Sequence, residues 1–128
     1  MGGPLRLLLD SVILIDHFNG RAEATRYLAR VAGESAISVI TRAEVLAGFA
    51  TEDTALAVRL LDRFPTLDID AAVADLAARL RREHRWKMPD ALQAALACHH
   101  GLELATRNTR DFSPESHSFV VIPYMLAE

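Results

Sequence analysis

The sequence predicts an α/β fold, a parallel sheet flanked by helices on both faces, and three observations carry that prediction. Short aliphatic runs alternate with segments of helical period along the chain. Gly, Pro, Asp or Asn marks most of the changes between them. The 128 residues suit one domain, and a chain of this size buries roughly two thirds of its unfolded surface, enough for a real core.

The elements follow in order. Met1 to Pro4 reads as a flexible lead-in without fold information. Leu7-Leu8-Leu9 is a short buried strand that stops at Asp10-Ser11. Val12 to Phe18 is a brief helix ended by Asn19-Gly20. From Arg21, the spacing of Ala24, Tyr27, Leu28 and Val31 gives one face of an amphipathic helix closed by Gly33. Ala36 to Ile40 is the second strand, and Thr41 with Glu44 forms a capping-box pattern for a helix running to Gly48. Leu56, Leu60 and Phe64 stripe the next helix, which Pro65 ends. Leu67 to Ile69 is the third strand, and Asp70 caps a helix bearing Val73, Leu76, Ala77 and Leu80. Met88-Pro89-Asp90 punctuates the chain before an Ala-rich helix from Ala91 to His100, with Gly101 beyond its end. Leu102 to Thr106 is the fourth strand, Asn108 to Ser113 a turn, and Phe119 to Ile122 the fifth strand, closed by Pro123. No repeat or linker divides the chain.

Composition excludes several functions. At 51% hydrophobic and 24% charged residues the chain is too aliphatic for disorder. Aromatics at 6% are too few for a single-strand binder built on stacking platforms. A net charge of −3, from 17 acids against 14 bases, argues against nucleic-acid binding by bulk electrostatics, though not against an enzyme that engages nucleic acid briefly. One cysteine, Cys98, removes an internal disulfide and a Cys-based zinc site; it reads as a small core residue. The apolar stretch from Leu5 to Ile15 is interrupted by Arg6, Asp10 and Ser11, which excludes a signal-peptide core or membrane span and leads us to expect a cytoplasmic protein.

In an open α/β sheet the ligand site lies beyond the carboxyl ends of the strands. Asp10-Ser11 follows the first strand, Thr41 and Glu44 the second, and Thr106-Arg107-Asn108 the fourth. Asp90 joins them if its helix begins at the same edge. Taken singly, Glu44 reads as a capping partner, Asn108 as a turn residue and Asp90 as a favourable charge in a first helical turn. Asp10, ending an aliphatic strand, points to function. Gathered carboxylates repel one another, and a hard cation such as Mg²⁺ or Mn²⁺ resolves the conflict. Such a site suits phosphodiester hydrolysis, because the cation polarises phosphoryl oxygen and yields a nucleophile near neutral pH.

The combination of motifs is more specific than any one of them. Leu9-Asp10-Ser11 with Leu14-Ile15-Asp16, then Thr41 to Gly48, then Pro89-Asp90-Ala91-Leu92-Gln93-Ala94-Ala95, then Ala105 to Phe112 resembles a PIN domain. More narrowly, it is similar to the VapC toxins of prokaryotic VapBC toxin–antitoxin pairs. The resemblance runs from about Leu7 to Pro123 and implies a single PIN domain over residues 1–128. It places the metal-site and catalytic acids at Asp10, Glu44 and Asp90, with Asn108 at a fourth position that is often Asp in the family. Asp111, one turn on, is a candidate to supply the missing charge, and the metal count stays open. Ser11 and Thr106 match small hydroxyl residues that support the acids, whereas Asp16 orders its segment. The resemblance further implies Mg²⁺- or Mn²⁺-dependent cleavage of RNA, in tRNA or ribosomal RNA, by a homodimer. A VapB-type antitoxin would occupy an apolar groove and send a basic side chain into the acidic site.

Arg79, Arg81, Arg82, Arg85 and Lys87 crowd nine residues that also hold His84 and Trp86. They form either a solvated helix end or an RNA-backbone patch leading into Asp90. Arg107 and Arg110 face the same choice between pairing with acids and contacting phosphate. His99 and His100 lie about 100° apart around a helix and cannot readily share an ion. Three alternatives remain. One is a PIN nuclease outside toxin–antitoxin biology, and another is a non-catalytic PIN-like binding module. A receiver domain is the weakest, since it needs paired acids after the first strand and a lysine near the end, whereas the one lysine here is Lys87.

Overall fold

The computed structural model describes residues 3–127; Met1 and Gly2 of the expected lead-in lie outside the described residues. Leu7–Leu9 forms β1 at the centre of the sheet. An uninterrupted aliphatic triplet suits a parallel strand covered on both faces, and all three side chains are buried. Alternation along the strand sends Leu8 into one core and Leu7 and Leu9 into the other.

β2 (Ser35–Ser38) and β4 (Glu103–Ala105) flank β1, while β3 (Thr66–Leu67) and β5 (Val120–Val121) form the edges. The order β3-β2-β1-β4-β5 is parallel at every pairing, with Leu7 opposite both Ser35 and Glu103. On one face lie α5 (Ala71–His84) and α6 (Met88–His99), which pack Val73, Ala77, Ala94 and Leu96 around Leu8. The other face carries α1 (Ser11–Phe18), α2 (Ala22–Val31), α3 (Val39–Ala47) and α4 (Thr54–Leu61). Their Ile13, Leu28, Val45 and Leu61 close over Leu7 and Leu9. A run of alanines, Ala91, Ala94, Ala95 and Ala97, makes up most of the buried face of α6.

Several boundaries differ from the sequence reading. β2 stops at Ser38, because Ser38, still extended, caps the next helix: its Oγ accepts the Thr41 N–H at 3.0 Å. Ser38 is therefore the N-cap, Val39 and Ile40 are helical, and the expected Thr41/Glu44 capping box does not form. Met88-Pro89-Asp90 is the first turn of α6 and not a break before it, since proline there forfeits no helical hydrogen bond. α4 ends at Leu61, before the buried Phe64. β3 lies at Thr66–Leu67 instead of Leu67 to Ile69. Cys98 is exposed on α6 and not part of the core. Among the described residues, no helix is long and apolar enough to cross a membrane.

Candidate active site

Strand order reverses at β1, with β2 on one side and β4 on the other, so the crevice between the ends of β1 and β4 is where a ligand is expected. Asp10 lies there. It continues extended from β1, its N–H donates to the Ala105 carbonyl at 3.0 Å, and it caps α1 by accepting the Ser11 N–H at 2.9 Å. Thr106, beyond β4, donates its hydroxyl to Asp10 Oδ2 at 2.6 Å and accepts the Asn108 N–H at 2.9 Å. One oxygen of Asp10 is thus held by the first N–H of α1 and the other by the residue after β4, which orients the carboxylate although it is 9% exposed.

Asp90 reaches the same edge from the first turn of α6. Burial raises its pKa most, and the charges of Asp10, Asp111 and Glu44 raise it further, to about 6, with Lys87 opposing. The structure thereby brings Asp10, Glu44, Asp90 and Asp111 into one electrostatic field. Glu44 is exposed on α3 and Asp111 exposed on the turn after β4. Among the described residues, no three Asp, Glu, His or Cys side chains already form a group able to hold a metal. Four like charges spread apart in this way when protein groups alone must accommodate them. Every donor is a hard oxygen, the set that Mg²⁺ or Mn²⁺ takes in preference to softer metals.

Asn108 has a local task. Its Oδ1 accepts the Asp111 N–H at 3.3 Å and its Nδ2 donates to Asp111 Oδ2 at 3.1 Å, so it builds the turn that carries Asp111. Trp86, buried against Phe112, fixes the same turn by donating its indole N–H to the Asp111 carbonyl at 3.0 Å.

Asp16 stands apart from this field. Arg107 grips it with two hydrogen bonds of 2.7 and 3.0 Å, and the Tyr124 hydroxyl donates a third at 2.6 Å. Burial raises the Asp16 pKa, but these bonds outweigh it and hold the carboxyl below the usual range. The Arg107 charge is thereby spent on Asp16, whereas Arg79, Arg82, Arg85, Lys87 and Arg110 are exposed. Arg79 lies 3.8 Å from Glu83, one turn along α5.

Sequence reasoning assigned no role to Gln93, which is 2% exposed. Its Nε2 donates to Thr41 Oγ1 at 2.7 Å and lies 3.4 Å from Asp10 Oδ1. The available signal was an amide three residues after Asp90, on the same helical face, within a run of Ala and Leu.

Residues 7–113, which carry the acid-lined crevice, match the family described as PIN domain, and the chain belongs to that family. Within it, the chain is 39% identical over 113 residues to Ribonuclease VapC10 of Mycobacterium tuberculosis (strain ATCC 25618 / H37Rv), covering 83% of this chain and 85% of the relative. Among solved structures, a toxin-antitoxin complex from Klebsiella pneumoniae matches at 40% identity and a TM-score of 0.84, covering 94% of this chain and 99% of that one. FitAcB from Neisseria gonorrhoeae matches at 25% identity and a TM-score of 0.77, covering 94% and 99%.

Proposed function

We propose that this chain is the toxin of a toxin–antitoxin pair, a divalent-metal-dependent endoribonuclease held inactive by a VapB-type antitoxin. The observation that carries the reading is Asp90, half-buried among three other carboxylates and raised to about 6. Such an arrangement opposes folding unless a cation joins it. The ribonuclease name of the Mycobacterium relative and the toxin–antitoxin description of the Klebsiella structure support it.

Asp10 and Asp90, with Glu44 and Asp111, are the groups to hold Mg²⁺ or Mn²⁺; Asn108 shapes the turn that presents Asp111. Bound there, the ion would supply Lewis acidity toward a phosphoryl oxygen and a nucleophile near neutral pH. Ser11 and Thr106 keep the Asp10 carboxylate aimed at the crevice. Arg79, Arg82, Arg85, Lys87 and Arg110 would contact the RNA backbone, and the charge of Lys87 is felt at Asp90. The substrate would be a single-stranded loop of tRNA or ribosomal RNA, where bases can be splayed and read.

For the antitoxin, the structure offers a groove lined by Phe18, Leu56 and Leu60 together with His17, Arg59 and Arg63. An amphipathic helix with acidic flanks suits it. We place the protein in the cytoplasm, as a homodimer. The test is to induce the wild type beside Asp10→Asn and sequence cellular RNA ends. New ends at a defined site in the wild type alone are expected; equal cleavage by purified Asp10→Asn overturns the assignment.

A further inference from the structure

Gln93 is an anomaly of the core. It projects from a helix face otherwise made of Ala91, Ala94, Ala95 and Leu96, all fully buried. Its amide orientation follows from its neighbours. Thr41 Oγ1 directs its own hydrogen to the Leu9 carbonyl at 3.3 Å, and Asp10 Oδ1 is a carboxylate oxygen. Both therefore act as acceptors toward Gln93, so the NH₂ end faces them. The other end, Oε1, is buried and has no hydrogen-bond partner among the described residues. A buried amide oxygen left so opposes folding, which means stability does not account for an amide at this position. What the amide does accomplish is a bridge: it ties the start of α3, through Thr41, to the carboxylate at the end of β1, from a point one turn below Asp90.

We infer that Gln93 is a positioning residue for Asp10, fixing through Thr41 and Asp10 Oδ1 the orientation in which that carboxylate meets a divalent cation. The inference rests on the functional reading given above. Thr106 holds one oxygen of Asp10 and the Ser11 N–H holds the other; Gln93 adds a third contact, to Oδ1 from the core side at 3.4 Å, which narrows the swing the other two bonds allow. Groups that orient metal ligands from behind are typically worth about 10–100-fold in metal affinity or activity.

The test compares wild type, Gln93→Met and Gln93→Leu, two apolar replacements of similar volume. Melting temperature is followed without metal and against increasing Mn²⁺, and then kcat and KM are measured on an RNA that the wild type cuts. The expected result has opposite signs: the metal-free variants melt no lower than wild type, yet half-saturation by Mn²⁺ shifts up at least about tenfold and kcat falls with KM little changed. A thermal double-mutant cycle with Asp10→Asn, run without metal, is expected to be non-additive because the two side chains touch. A Mn²⁺ response and kcat equal to wild type in either well-folded variant overturns this inference alone, as does additivity in the cycle. Absence of any Mn²⁺ response in the wild type overturns the functional reading itself, and this role with it.

Discussion

Asp90 and Asp16 are both carboxylates in partly buried settings, and their neighbours push them in opposite directions. Asp90 meets other acids and rises to about 6, whereas Asp16 meets Arg107 and Tyr124 and falls. For Asp90 the folded protein binds the proton more tightly than the unfolded chain, so folding is penalised progressively as pH rises from about 4 through 6. Asp90→Asn should therefore raise metal-free stability at pH 7 by about 1 kcal/mol after allowance for solvent screening, and the gain should vanish near pH 4. The same variant should lose RNA cleavage. Thermal melts across pH beside a cleavage assay check both halves; a less stable variant at pH 7 would contradict the clustered field. For Asp16 the sign reverses: its contribution is full above the unfolded carboxyl pKa and is lost as pH falls through the lower folded value. Asp16→Ala strands Arg107, which keeps 30% of its side chain in solvent, and should cost about 2 kcal/mol, less than a fully buried pair. Urea denaturation at pH 7 measures it, and the deficit should shrink in acid.

At the level of elements, legibility followed the reach of the interactions that set each boundary. The α2 stripe of Ala24, Tyr27, Leu28 and Val31 is buried as its spacing predicts, because helical period is a local property. Ser38 shows the limit: a serine inside an apolar run reads as strand until its hydroxyl is seen accepting the Thr41 N–H. The link from α5 to α6 was legible only as a crowd of cations. In the structure α5 ends at His84 and is capped by Arg85, which takes left-handed backbone with φ of 58°, a conformation that favours glycine. Arg85→Gly should accordingly stabilise the protein by about 0.5–1 kcal/mol while removing one exposed cation beside the site. If Arg85 touches RNA phosphate, the same substitution weakens RNA binding and lowers the salt slope by about one. Filter binding at several salt concentrations, set beside a melt, separates the two effects.

Across the whole molecule, the acids and the apolar groove occupy different places, and that separation was only half visible in the sequence. Asp10, Glu44 and Asp90 could be assigned to one edge because strand ends in a parallel sheet share an edge. The partners of Asp16, 91 and 108 residues away, could not, since no local pattern links them. Likewise Leu56, Leu60 and Phe64 read as one core stripe, yet Phe64 is buried and Leu56 is 63% exposed. The early end of α4 rotates them onto different surfaces. The exposed half of that stripe forms the groove with His17, Phe18, Arg59 and Arg63, and none of the site's acids lines it. A charge placed in the groove should therefore uncouple inhibition from catalysis. Leu56→Asp removes no buried contact, so the fold should melt within about 0.5 kcal/mol of wild type and RNA cleavage should persist. An apolar helix face seated there would have to desolvate the new carboxylate, and binding of the cognate antitoxin should weaken by about tenfold or more. Titration calorimetry with purified antitoxin reads that loss, and growth arrest that the antitoxin no longer relieves reads it in cells. Unchanged affinity would move the antitoxin off this groove while leaving the acid site untouched.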